Sequence, residues 1–222
     1  MDATVRRALI ALLLCAVAVV ATERFLGASA REAAASGEIT PDIRAEGLRF
    51  APDVSERDRA WILAAIAAAR PEAQILIDEV DGLVQVRTHS NQGDTIGWAR
   101  SGPHGSVISV DTAALNGDRA LDRNVVVLHE LGHVIDYVLV PDELVARLDQ
   151  GIPRGECAPG SEPFGACAIA EERFADTFAK WALRGAVSLA GSGYGIPTPT
   201  SLEGWGAPLG RLAVELRVAA GT

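Results

Sequence analysis

Asn124-Val125-Val126-Val127-Leu128-His129-Glu130-Leu131-Gly132-His133-Val134-Ile135-Asp136-Tyr137-Val138 is the stretch that decides how this chain folds. It is apolar at most positions, and a helix apolar on most sides is a buried one. A buried helix does not carry two histidines and a glutamate unless something satisfies them. Residues four apart share a helix face, so His129 and His133 present two imidazoles to one point, with Glu130 beside it. Neutral imidazoles can hold a Zn²⁺ ion, the ion acidifies a water, and a carboxylate next to it can take the proton. The chain has only 4 histidines in 222 residues, so the pattern is not a by-product of a histidine-rich composition. An amphipathic helix that happens to carry these side chains is the plainer alternative. The helix is predicted from about Asp122, a suitable N-cap, to Val138, with Pro141 unable to extend it.

A catalytic zinc needs a third protein ligand. A third histidine six residues after His133 is excluded, because Leu139 stands there. Asp136 is too close along the same helix for an easy tetrahedral site, and is read as an acceptor that steadies a metal-binding side chain or as a plain polar contact. The better candidate lies in Ala170–Ala182, where Phe174, Phe178, Trp181 and Ala182 mark an apolar face at helical spacing. On that helix Glu172 and Asp176 are neighbours four apart. One can ligate the metal while the other accepts from the N–H of a ligating imidazole. A solvated pair of charges is the alternative.

His129-Glu130-x-x-His133 followed by Glu172-x-Phe174-Ala175-Asp176-x-Phe178 resembles the gluzincin metallopeptidases, and among them the anthrax lethal factor catalytic-domain family. The resemblance implies a zincin-like α+β domain with His129, His133 and Glu172 as zinc ligands and Glu130 as general base. It matches Asp176 to the acidic residue one turn after the third ligand, and the Asp136-Tyr137 pair to the family's pattern as well. It covers at best a third of the chain. One departure matters: the family carries a tyrosine just upstream of its third ligand, placed to stabilise the developing oxyanion. Here that stretch reads Pro163-Phe164-Gly165. Tyr194, Tyr137 and His104 remain open as substitutes. The resemblance also implies that the strand just before the zinc helix, Ser106 to Val110, forms a sheet edge onto which a peptide substrate adds.

The N-terminus suggests export. Arg6-Arg7 precede an apolar run from Ala8 to Ala21, and Ala28-Ser29-Ala30 resembles a small-residue cleavage site. The run is shorter than the roughly twenty residues of a membrane span. A signal peptide over 1–30 is expected, with an uncleaved anchor as runner-up, then a leader over 31–50 and one domain over 51–222. Once Cys15 has left with the signal, Cys157 and Cys167 remain as a pair flanking a Gly/Pro-rich segment, and a disulfide is expected.

Around the site, Ser55 is expected to cap a helix reaching to about Arg70, stopped by Pro71. Strands are expected at Leu83–Arg87, Thr95–Ala99 and Ser106–Val110, and a last helix at Leu209–Val218 after a Gly/Pro-rich stretch. His89 and His104 read as solvated loop residues. The formal net charge is −9, and −10 once Asp2, Arg6, Arg7, Glu23 and Arg24 are removed, which argues against nucleic acid as a partner. The sequence thus predicts a secreted zinc endopeptidase acting on protein or peptide, with membrane contact only through an uncleaved anchor. A secreted zinc-binding module that has lost catalysis is the alternative.

Overall fold

The computed structural model describes residues 47–90, 96–116, 122–157, 165–186 and 194–221. The expected signal peptide and most of the leader lie outside them. Among the described residues there are seven α-helices and one mixed four-stranded sheet, and no helix is long and apolar enough to cross a membrane.

The chain enters through β1 (Arg49–Phe50) and continues into α1 (Glu56–Ala67) and α2 (Pro71–Asp78). Strands β2 (Val84–His89), β3 (Gly97–Gly102) and β4 (Gly105–Asp111) follow. The sheet order is β1-β2-β4-β3, with β1, β2 and β4 parallel and β3 antiparallel to β4. Two residues of the expected leader, Arg49 and Phe50, therefore belong to the sheet. The sheet edge implied for Ser106–Val110 needs correction: β4 is hydrogen-bonded to β2 on one side and to β3 on the other, which leaves β3 as the edge.

Helix α3 (Thr112–Asn116) leads to α4 (Arg123–Val138), which is the centre of the fold. Its N-cap Asp122 accepts from the Asn124 amide at 2.8 Å, and Val125 to Asp136 are buried without interruption. It packs against α1, β3, β4 and α6 (Ala170–Ala182), the last its most extensive neighbour. Pro141 does end the run, but it also serves as N-cap of α5 (Asp142–Gln150). The C-terminal α7 (Leu202–Ala219) closes the core over α2 and α6.

Helix α6 is amphipathic as expected, but its polar face is buried as well. Arg173 through Ala182 are all buried, including Arg173, Asp176 and Lys180. Buried charges persist only when paired, and each of these is. Arg173 donates from Nε to Asp149 Oδ1 at 2.7 Å and from its other nitrogens to the Pro153 and Ile152 carbonyls. Lys180 Nζ lies 2.5 Å from both Asp176 Oδ2 and the Ile196 carbonyl. The polar face of this helix is thus a network that fastens α5 and the Tyr194–Ile196 segment to it.

Candidate metal centre

Gly132 lets the two site helices approach. A Cβ at this position would stand 3.1 Å from the Ala175 Cα and 3.2 Å from its carbonyl oxygen, so α4 and α6 meet through a glycine and an alanine. That contact brings the first turn of α6 over the second half of α4. His129 Nε2 lies 3.1 Å from His133 Nε2 and 3.1 Å from Glu172 Oε2, and His133 Nε2 lies 3.6 Å from Glu172 Oε1. The ligand atoms of these three residues all fall within 4.8 Å of one another, forming a group that could hold a metal ion. Ligands bonded to one tetrahedral zinc at about 2.0–2.1 Å stand roughly 3.3 Å apart. The donor triangle fits such an ion, and two imidazoles with one carboxylate are a donor set that zinc favours.

The electrostatics suit this use. Burial, with help from the neighbouring His129, holds His133 down at about 3, so its imidazole is neutral, as a ligand must be. Burial raises Glu172, but the hydrogen bond to His129 and the electrostatic pull of the two histidines' side of the site outweigh it and keep the carboxyl below its usual range. Glu130 is 1 % exposed. Burial pushes it up to about 7, with the Glu172 carboxylate adding to the rise and His129 and Tyr194 opposing it.

A cleft of about 180 Å³ opens onto the triad, walled by Gly97, Trp98 and Ala99 of the edge strand, by Tyr137 and Ile169, and by Tyr194. Tyr194 stacks on His129 with ring centroids 3.7 Å apart and planes 3° from parallel, and its hydroxyl is hydrogen-bonded to Glu130. Burial foremost, then the nearby Glu130 and Glu172 carboxylates, raises this phenol well above 10. Tyr137 lies farther out, its ring 6.3 Å from that of His133. His104 is exposed in the β3–β4 turn, beyond five residues of strand, roughly 17 Å, from Gly97. His89 is not a loop residue: it ends β2 and its Nδ1 is 2.8 Å from Ser109 Oγ.

Asp136 is buried one turn beyond His133. Asp176 takes Lys180 as its partner, and both imidazole Nδ1 atoms lack a hydrogen-bond partner among the described residues. Cys157 and Cys167 are joined by a disulfide, sulfurs 2.06 Å apart. Three contributors escaped sequence reasoning. The Asp176–Lys180 pair was legible as an i,i+4 spacing. The selection of Tyr194 and the approach of Gly97 to Glu130 had no local signal, because both depend on segments distant in sequence. Comparison with protein-family profiles, with curated proteins and with solved structures finds no match to this chain.

Proposed function

We propose that this protein is a secreted zinc-dependent endopeptidase of the gluzincin type, with His129, His133 and Glu172 as ligands and Glu130 as general base. The observation that carries the reading is the convergence of three donor atoms at zinc-ligand spacing beside a buried carboxylate, in a cleft bordered by a sheet edge. When bound by the triad, zinc would polarise the scissile carbonyl and acidify the attacking water. Glu130 accepts the water's proton and passes it to the departing amine. Its burial beside the triad supports that role, since a desolvated carboxylate holds a proton more readily than a solvated one. Strand β3 offers an extended substrate its outer edge, where main-chain hydrogen bonds hold a peptide irrespective of sequence. Export is supported by the signal-like N-terminus and by the Cys157–Cys167 disulfide.

The test is cleavage of a diverse peptide library by the zinc-loaded protein, with Glu130→Gln as matched control. Cuts made by the wild type and lost in a variant that still holds zinc are the expected result. Absence of cuts at one zinc per chain would favour the non-catalytic binding module.

A further inference from the structure

The side chains of a sheet alternate between its two faces. Gly97, Ala99 and Ser101 of β3 share the face turned to α4, since a Cβ on Gly97 would meet Glu130. Their partners in register on β4, Val110, Ile108 and Ser106, are buried. The opposite face carries two rows that cross the strands. One runs Arg100–Val107–Gln85–Arg49 and the other Trp98–Ser109–Arg87. All three arginines are exposed, and none has an acidic partner among the described residues. The four strands contain a single acid, Asp111, which is buried with its carboxylate turned to the Ala113 and Ala114 amides. A chain of net charge −9 thus presents a cationic face, and Trp98 on that face also borders the metal-site cleft.

Resting on the peptidase reading, we propose that this face selects substrates with acidic side chains, with Arg100 as the specificity-determining residue and Arg87 as a second cation behind it. A peptide added to the free edge of β3 lies about 4.8 Å away, and its side chains alternate between the same two faces. Those directly opposite Trp98 and Arg100 emerge on the cationic face, with Cβ atoms about 5 Å from theirs. The Arg100 guanidinium carbon lies 5.1 Å from the centre of the Trp98 ring, a cation–π contact that limits its motion. It meets an incoming carboxylate without first giving up another acid. A lysine at the same place would face like charge, which is unfavourable. Arg87 stands two strands in from β3, about 10 Å away, close enough to add attraction at low salt. A polypeptide suits this face better than a membrane, because lipid-binding clusters hold about 4–8 basic residues. The negative charge of the rest of the chain also repels any larger anionic surface.

The test measures binding of short labelled peptides that alternate Glu and Thr, with matched peptides carrying Gln or Lys in place of Glu. Zinc-loaded Glu130→Gln protein is used, so that the probes stay uncut. The Glu peptide should bind about 10-fold more tightly than the Lys peptide, with the Gln peptide between them. Salt at about 0.5 M should close the gap. Adding Arg100→Gln should abolish the preference and Arg100→Glu should reverse it. Arg211→Glu, the same change of charge placed on α7, should leave it intact. Equal affinity for the three peptides, or a preference indifferent to Arg100, overturns the proposal. Displacement of the Glu peptide by phosphatidylserine vesicles would assign the face to a membrane and overturn it as well. Wild-type protein that cuts peptides without regard to charge overturns the proposal and leaves the peptidase reading intact. Arg100-dependent binding of the Glu peptide by a wild type that cuts nothing does the reverse, leaving an acidic-peptide docking face without a peptidase.

Discussion

Gly97→Ala should silence the enzyme without touching a metal ligand. A Cβ on Gly97 would stand 2.3 Å from Glu130 Oε1, 2.8 Å from its Cδ and 3.1 Å from its Cγ, and all three closest atoms belong to that one side chain. Ordinary contact begins near 3.4 Å, so the carboxylate must retreat by at least about 1 Å. Gly97 is not among the residues with positive φ, so alanine can take its backbone conformation. The atoms in the way are the free end of a side chain, so Glu130 rather than the sheet gives way. Stability should change by no more than about 1 kcal/mol. A misplacement of about 1 Å at a reacting group costs on the order of 100-fold, and that is the expected fall in kcat/KM on a peptide the wild type cleaves. Zinc affinity should not change, because none of the three ligands is touched. The assay measures turnover, zinc content and the unfolding midpoint on the same preparation. A folded, zinc-loaded Gly97→Ala protein with wild-type kcat/KM would refute the reasoning, since Glu130 could not then be working from beside β3.

Glu172→Ala should lower zinc affinity by more than about 100-fold, beyond what losing an outer-shell partner costs; titration with a competing chelator measures it, and unchanged affinity would move the third ligand to Glu171 or Asp136. Asp149 gives a pH dependence away from the metal centre. Burial raises its carboxyl, but hydrogen bonds from Arg173 and Arg154 outweigh this, so its folded pKa lies below the ordinary value. The unfolded chain then binds a proton more readily than the folded one, and stability is held above about pH 4 and lost as pH falls through the folded pKa. Urea midpoints measured through that range should decline in the wild type and decline less in Asp149→Asn. Parallel curves would remove Asp149 from the account.

Much of the site was legible because local rules govern it. The two site helices start and stop where the Asp122 cap and the periodicity of Phe174, Phe178 and Trp181 place them. The Ser55 cap also formed, accepting from the Asp58 amide at 3.1 Å. The prolines do more than the sequence reading assigns them. The first helix does end ahead of Pro71, and Pro71 also opens α2, since a proline in a first turn forfeits no intrahelical bond. Pro208 was placed before the last helix and lies inside it, because tertiary contacts fix the preceding turn. Trp205 donates to the Leu148 carbonyl at 3.0 Å, and Gly206 lies so close to the Trp181 indole that no Cβ fits. Strand order was illegible for a different reason. Ser106–Val110 reads the same at an edge or in the centre, and only pairing with residues 22 positions away makes β4 central. The inward turn of the polar face of α6 depended likewise on Asp149 and Ile196, which no periodicity could reveal.

The disulfide lies inside the stretch of chain that a shared ligand of His133 and Glu172 must close into a ring. That stretch runs 39 residues from 133 to 172, and the crosslink bypasses 10 of them. Closure entropy grows only with the logarithm of length, so shortening the ring from 39 residues to about 29 lowers its cost by about 0.3 kcal/mol. A contribution that small makes the crosslink nearly irrelevant to how tightly the metal is held. What it governs is where the chain turns: the Gly165–Cys167 turn is pinned beside α6, and the Gly165 amide there supports the Tyr194 carbonyl. A reduced protein should therefore keep its metal and lose the alignment of the residue above it.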